Sequence, residues 1–530
     1  MTNGEGMMKH RGRSLLTNAA ANWAGFAAQL AVALLLAPVL VHALGDRRYG
    51  VWSLVESILA YLMLFDLGVA ASVVRYVARF EAAGDRESLN RVVSTSICIF
   101  AAAGLAVLAL VLAIAGGGMQ LLKVPADLAG EACCMLLLLG FNLAVGLPLG
   151  VFPSILDGLE RYPAKTAIRT AALVVRSAAL VLIVRGGGGL VELAWAITVC
   201  NLGEHLAMAG AAWYYLPGLR FSLRLVDRAT FRMIRGYSLH AFLALLAGRI
   251  SFQTDALVIG ALLAPQYITF FALAARLVEY AKNALRAVTS VLTPAVSALD
   301  AQGNADAIRR VLLDGTRWVL WLILPIQAGL LILGKPFLTV WLGPRHAEAS
   351  YPTLAILAAP LALALAQSVS ARILYGLGQL HLFVRVVIAE ALANLLLSVA
   401  LAEPLGIEGV AWGTTIPNVV ANVVVLGYVC RTLGVGVGEY VRRAFLRPCA
   451  VVLPLAAGWM MARAEWEPAS WPGLLTVGLA GLGGYAAVAS VVEVGPRAIR
   501  DRVILALARR AGEDSPRWRI GLNKEMQPGK

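Results

Sequence analysis

Between residues 15 and 493 the chain returns again and again to apolar runs of about twenty residues, joined by mostly short loops. Twenty residues of helix span the roughly 30 Å hydrocarbon layer of a bilayer. Within that layer every backbone N–H and C=O must find its partner inside the protein, so runs of this length are read as helices. They read as fourteen spans, near 15–41, 50–74, 92–115, 129–153, 166–184, 190–215, 238–262, 267–297, 316–341, 351–375, 382–402, 408–430, 445–462 and 472–493. The expected fold class is all-α: a polytopic membrane protein with about 14 transmembrane helices. Composition agrees, since only 14% of residues are charged, against about 25% in soluble domains. The first run, Leu15 to Val41, is longer than the ~7–15 residues of a signal-peptide core, so it is expected to remain as the first span.

The loops set the orientation. One side of the chain receives 33 of the 45 Lys and Arg residues and the other receives 7. The remaining five, Arg176, Arg249, Arg276, Lys282 and Arg286, fall inside spans. The positive-inside tendency then places both termini in the cytoplasm, which requires an even number of spans. The net charge of +14 is accounted for by this asymmetry and does not point to nucleic acid. No outer loop is long enough for a catalytic domain, so an enzyme such as a glycan polymerase or ligase is disfavoured. The six cysteines, Cys98, Cys133, Cys134, Cys200, Cys430 and Cys449, lie in or beside apolar runs without CxxC spacing and read as small apolar residues. The tail from Gly495 interleaves Arg497, Arg500, Arg502, Arg509 and Arg510 with Ile499, Val503, Ile504, Leu505 and Leu507. That pattern is expected either as a basic amphipathic helix on the inner leaflet or as a frayed tail. Disorder is expected from about Gly512.

The two halves resemble each other at an offset of about 217–219 residues. Phe80–Val92 aligns with Leu299–Val311, Tyr49 with Tyr267, Ile155–Leu159 with Ile373–Leu377, and Ala194–Ala196 with Ala411–Gly413. A repeat of six spans is even, so both copies share one orientation, related by a pseudo-two-fold along the membrane normal. Parallel repeats of this kind place a substrate site between the bundles. The expected organisation is a cytoplasmic N-terminus (1–14), an N-lobe (15–219), a cytoplasmic linker (220–237), a C-lobe (238–430), two extra helices (431–494) and a basic cytoplasmic tail (495–530).

Ser238 to Ser297 is the stretch where ionisable residues concentrate, in two apolar segments joined at Leu263-Ala264-Pro265-Gln266. The first carries His240, Arg249 and Asp255; the second carries Arg276, Glu279, Lys282 and Arg286. A charge at mid-bilayer costs about 2.5–3.5 kcal/mol on the insertion scale, so such residues usually face a bundle interior or a water-filled cavity. The residues of the second segment step by three, three and four, which aligns them on one helical face.

The motif Leu44-Gly45-Asp46-Arg47-Arg48-Tyr49-Gly50-Val51-Trp52, followed by Phe65-Asp66-Leu67-Gly68-Val69-Ala70, Arg75-Tyr76-Val77-Ala78 and the Gly84-Asp85 to Asn90-Arg91 loop, resembles the start of oligosaccharide/polysaccharide flippases. These belong to the multidrug/oligosaccharidyl-lipid/polysaccharide (MOP) exporter superfamily. The resemblance implies a flippase for an undecaprenyl-pyrophosphate-linked oligosaccharide in a bacterial inner membrane. It also implies two six-helix lobes around a cavity that opens alternately to each face. Arginine suits a pyrophosphate, because its planar fork donates two hydrogen bonds and stays charged. Arg249 and Arg276 are therefore the expected phosphate ligands, with Lys282 and Arg286 in the same cavity.

Asp255, Glu279 and Asp66 are the expected coupling or charge-balancing carboxylates, with H+ or Na+ as the possible coupling ion and no other cofactor. Two readings of these acids stand open. They couple transport, or they serve structure: Glu279 neutralising Arg276 and Lys282, Asp255 neutralising Arg249, and Asp66 capping the Gly68 region. Glu56, Glu204, His205 and Glu390 are single polar groups in apolar spans, and Arg176 is expected to pair with one of them. Expected partners are the lipid-linked glycan, membrane lipids and other polysaccharide-assembly membrane proteins. The alternative function is a cation-coupled antiporter of the multidrug and toxin extrusion (MATE) type. That class favours an acidic cavity, whereas the hairpin holds four Arg/Lys against two Asp/Glu.

Overall fold

The computed structural model describes the backbone of residues 2–117, 123–289, 292–379, 381–465 and 468–494, with side chains described for most of them. The side chains of 2–24 and 239–253, and the whole tail from 495, lie outside the described residues. The expected amphipathic tail helix therefore lies outside them as well. Among the described residues all regular structure is helical. Eight helices are long and apolar enough to cross a membrane, or nine if the bent pair Pro344–Ala358 and Leu361–Gly376 is one span.

The first helix, α1 (Thr2–Leu62), holds the first two apolar runs and is broken at Gly45, whose φ of 70° and ψ of 168° are not helical. Glycine carries no Cβ, so it adopts that conformation without steric cost. The run expected as one span at 50–74 is interrupted. It passes through a 3-10 turn at Met63–Asp66, then Leu67 (φ 51°) and Gly68 (φ 73°), before α2 (Val69–Ala82) resumes. Asp66 and Gly68 interrupt the apolar residues here, but run length alone does not register them. There follow α3 (Arg86–Gly116), α4 (Ala129–Leu149), α5 (Val151–Gly158), α6 (Tyr162–Arg185) and α7 (Leu190–Tyr215).

The charged hairpin is α8 (Arg228–Leu262) and α9 (Pro265–Thr289). After α10 (Leu292–Ala301) and α11 (Ala305–Ile332) come α12 (Gly334–Leu342), α13 (Pro344–Ala358) and α14 (Leu361–Gly376). The expected span 351–375 is thus bent by 40° between α13 and α14, where Pro360 leads into the second helix. One long helix, α15 (His381–Leu433), breaks at Gly406 (φ 61°). A short α16 (Val437–Tyr440) leads through a π-turn (Val441–Phe445) into α17 (Leu446–Glu465), and α18 (Trp471–Val494) follows.

Several turns recur with the same hydrogen bonds. Before α3, Gly84 N donates to Glu81 O and Asp85 N to Phe80 O; before α11, Gly303 N donates to Asp300 O and Asn304 N to Leu299 O. Both turns end in a side-chain cap, Asp85 accepting from Ser88 N and Asn304 from Ala307 N. Both glycines have positive φ, 68° and 66°. The side chains of Asn90 and Arg309 then reach across to Gly218 O and Leu433 O.

In packing, α1 lies against α6 on one side and against α8 and α9 on the other, while α15 packs along α8. One continuous apolar core runs from Ala37 to Ala444. A second cluster, Trp321, Leu333, Val451, Val452, Leu455, Trp459 and Tyr485, fastens α17 and α18 to α11. Two of its polar side chains are paired, with Tyr485 donating to Trp321 O and Trp459 to Val477 O.

Candidate functional site

Two independent stretches of chain meet along α9. On one flank stands the second half of α1. Arg276 Nη2 lies 2.5 Å from Glu56 Oε2, and its guanidinium carbon sits 5.8 Å from the centre of the Tyr49 ring. The partner of Arg276 is thus Glu56, 220 residues earlier, and not Glu279. Glu279 instead holds Arg286 at 2.9 Å, two turns further along the same face of α9. Asn283 Oδ1 also accepts from Arg286, at 3.2 Å. The side chains of Arg249 and His240 lie outside the described residues, so the expected pairing of Arg249 with Asp255 does too.

The neighbouring helix α8 carries Asp255 and has α15 packed along it. Asp255 is buried, with Oδ1 accepting from Thr414 Oγ1 at 2.9 Å. That hydroxyl also lies 3.3 Å from Val410 O and accepts from Asn394 Nδ2. Ser398 Oγ is within reach of both Asn394 Oδ1 and Val410 O. A hydroxyl has one proton. Thr414 and Ser398 each face two acceptors, so each can serve only one of them at a time. Lys282 lies within electrostatic reach of Glu279, Arg286, Glu390 and Asp255. Glu390 in turn accepts from Asn418 Nδ2 at 2.7 Å.

Asp66 lies in the 3-10 turn, and its Oδ1 accepts from Ala70 N at 3.2 Å, at the first turn of α2. It also borders a cavity of about 550 Å³ formed by α1, α4 and α7. Glu56, Asn142, Asn201 and His205 share that cavity with apolar neighbours such as Met63 and Phe100. Sequence reading had left Glu56 and His205 as separate polar groups and did not single out Asn142 or Asn201; the structure gathers them. Helical periodicity gave each a face, but nothing in a single chain showed that α1, α4 and α7 converge. Arg176 pairs with Asn201 at 2.7 Å, and Glu204 faces Arg169 at 3.7 Å.

The end of the molecule that carries few Lys and Arg residues is tightly joined. Asp46 accepts from Arg345 at 2.9 Å and contacts His346 Nε2 at 2.8 Å. Thr269 Oγ1 donates to Asp46 O, Trp341 Nε1 to Leu34 O, and Lys123 Nζ to Leu262 O. Gly50 touches the α8–α9 turn so closely that a Cβ there would lie 1.8 Å from Pro265 O. At the opposite end α2 meets α8, where Ser72 and Ser238 share a 2.8 Å hydrogen bond.

Residues 131–351 match a family model described as a polysaccharide biosynthesis protein. The uncharacterized membrane protein EpsK of Bacillus subtilis is 24% identical over 491 residues, 87% of this chain and 92% of that protein. Among solved structures, the lipid II flippase MurJ superposes with a TM-score of 0.69 at 13% identity, covering 92% of this chain and all of that one. An inward-facing MATE transporter of the MOP superfamily gives 0.65 at 17% identity, covering 76% and 93%. The chain is a multi-pass membrane protein with the MOP-superfamily fold. The solved proteins that share this fold are transporters, not enzymes.

Proposed function

We propose that the chain is a flippase carrying an undecaprenyl-pyrophosphate-linked oligosaccharide across a bacterial inner membrane by alternating access, in surface polysaccharide biosynthesis. The observation that carries this reading is the row of cations on α9, with Arg276 set against Glu56 of α1 and Lys282 within electrostatic reach of Glu390 of α15. A pyrophosphate crossing hydrocarbon without compensating charge faces a prohibitive desolvation cost. Arg276, Lys282 and Arg286, together with Arg249 on α8, would supply that charge. The Arg276–Glu56 pair then acts as a placeholder: with the site empty Glu56 holds the arginine, and substrate phosphate takes its place. The polysaccharide-biosynthesis match and the MurJ fold support this substrate class.

Asp255 is the coupling carboxylate in this reading, taking H+ or Na+ among the oxygens of Thr414, Val410, Ser398 and Asn394, while Glu279 and Asp66 balance charge. Two six-span lobes, related by an axis along the membrane normal, rock about the junction of α1 with α8 and α9. Helices α17 and α18 are an addition to that body. Both termini lie in the cytoplasm.

The test is flipping of radiolabelled undecaprenyl-pyrophosphate-oligosaccharide in proteoliposomes, wild type beside Arg276→Ala and Arg249→Ala. Activity in the wild type that both substitutions abolish, with folding intact, supports the reading. Undiminished activity in both variants makes the arginines structural. The carboxylate-lined cavity at Glu56, Asp66 and His205 favours a second reading, cation-coupled multidrug antiport. Uptake of cationic dyes, with no flipping of lipid-linked glycan, would establish that one instead.

A further inference from the structure

A second cationic cavity, away from the α9 row, opens at the arginine-rich end between α11 and the start of α17. It measures about 500 Å³ and is lined by Arg310, Arg317, Arg442, Arg443 and Arg447 together with Asp314, Leu313 and Leu446. Two helical patterns build it. On α11, Arg310, Leu313, Asp314 and Arg317 are spaced three, four and seven apart and form one stripe. On the other wall Arg442, Arg443, Leu446 and Arg447 follow an i, i+1, i+4, i+5 pattern that keeps them on one side of the chain. A π-turn at Val441–Phe445 lies within this stretch. Hydrogen bonding from i to i+5 brings Arg442 and Arg447 toward one side, and π-turns of this kind recur at functional sites.

The charges do not balance. Arg317 is held by Asp314 at 3.1 Å and by Glu493 of α18 at 2.9 Å. Arg443 is held by Glu439 at 3.2 Å. Arg310, Arg442 and Arg447 have no hydrogen-bond or ion-pair partner among the described residues. Five guanidiniums against three carboxylates leave two positive charges facing one cavity. The Nε of Arg317 is also buried without a partner among the described residues. A guanidinium fork with open donors is suited to phosphate oxygens.

We propose that this cavity is a binding site for a phosphate-bearing anion, supplied by the headgroup of an anionic phospholipid of the adjoining leaflet. Leu446 is exposed beside the arginines and gives an acyl chain an apolar path next to the phosphate. Through Arg317 and Glu493 the site bridges the body and α18. A lipid bound there clamps the two added helices to α11. The proposal is independent of the transport reading, because its readout is binding and not flipping.

The test uses delipidated full-length protein in detergent, titrated with phosphatidylglycerol, phosphatidylcholine or inorganic phosphate and followed by native mass spectrometry. Wild type should prefer phosphatidylglycerol to phosphatidylcholine. Arg442→Gln/Arg447→Gln should weaken phosphatidylglycerol roughly 30-fold. Arg310→Gln, which alters the opposite wall, should weaken it independently. The exposed pair Arg232→Gln/Arg235→Gln, elsewhere at the same end, should leave it unchanged. Binding of inorganic phosphate that the same arginine variants abolish, without any lipid preference, would keep the anion site and assign it a soluble source. Equal binding of both lipids with no phosphate binding, or phosphatidylglycerol binding untouched by the arginine variants, overturns the proposal.

Discussion

Arg276 and Glu56, 220 residues apart in the chain, form a 2.5 Å ion pair between α9 and α1. Both side chains remain partly open, at 34% and 42% exposure, so water or a ligand can reach them. A pair placed this way is worth less for stability than a sealed one, because solvent screens it.

The two partners are therefore expected to behave differently on substitution. Loss of a charge-assisted contact to substrate phosphate costs about 1.5–3 kcal/mol, so Arg276→Ala should lower transport roughly 10–150-fold. Glu56→Gln removes only the competitor for the guanidinium, and substrate should bind as tightly as in the wild type or more tightly. Measured transport and detergent melting curves separate the possibilities. If both variants lose activity and stability in parallel, the pair is structural.

The hydrogen bond that Asp255 accepts from the neutral Thr414 hydroxyl is one that asparagine can also satisfy, since an amide oxygen accepts as a carboxylate does. Asp255→Asn should fold normally. It should lose the response of transport to an imposed Na+ or proton gradient, an effect of roughly 5–150-fold for a typical coupling free energy. A gradient response equal to wild type would remove Asp255 from the coupling role.

Some of this architecture was legible in the sequence and some was not, for physical reasons. Hydropathy showed that the chain crosses a membrane many times, because the bilayer imposes a length and a polarity on each span. The Gly84-Asp85 and Gly303-Asn304 turns were readable because a left-handed glycine followed by a capping side chain is local chemistry. The break at Leu67-Gly68 was signalled only by Asp66 and Gly68, which a count of apolar residues passes over. The partner of Arg276 was misjudged because Glu279, three residues on, offered a local solution. Periodicity assigns a residue to a face of its helix and says nothing about which distant helix covers that face. Glu56, Asn201 and His205 share a cavity for the same reason: only tertiary packing brings α1, α4 and α7 together.

The α8 cap makes a pH-dependent prediction. Asp227 accepts from Thr230 N at 2.8 Å and from Thr230 Oγ1 at 2.6 Å. These hydrogen bonds, the side-chain one first, hold its carboxyl below the ordinary value of 3.8. A lowered folded-state pKa means the stabilisation is fully present above the unfolded value and is lost as pH falls through the folded one. Asp227→Ala should destabilise the protein by about 1 kcal/mol near neutral pH. The melting-temperature difference from wild type should stay constant down to about pH 4 and shrink below it. A difference that grows on acidification contradicts this account of the cap.

Gly50 offers a way to bias the closed end of the molecule. Its α-carbon packs on the carbonyl of Pro265, and a Cβ would sit 1.8 Å from that oxygen and 2.5 Å from its carbon. Both atoms belong to backbone, so the clash cannot be relieved by turning a side chain. Gly50→Val must push α1 away from the α8–α9 turn, straining the neighbouring bonds of Asp46 to Thr269, Arg345 and His346. Overpacking of this kind costs about 1–3 kcal/mol. In the proposed alternating-access cycle this strain falls on the arrangement closed at this end, and it should shift the equilibrium toward opening roughly 5–150-fold. Thr269 is fully buried at this junction and reports the change when replaced by cysteine in a background without the six native cysteines. Labelling of Thr269→Cys by a membrane-impermeant maleimide should be slow with Gly50 and several-fold faster with Gly50→Val. If labelling is unchanged while the protein stays folded, this contact does not separate two transport states, and the hinge must be sought elsewhere along α1.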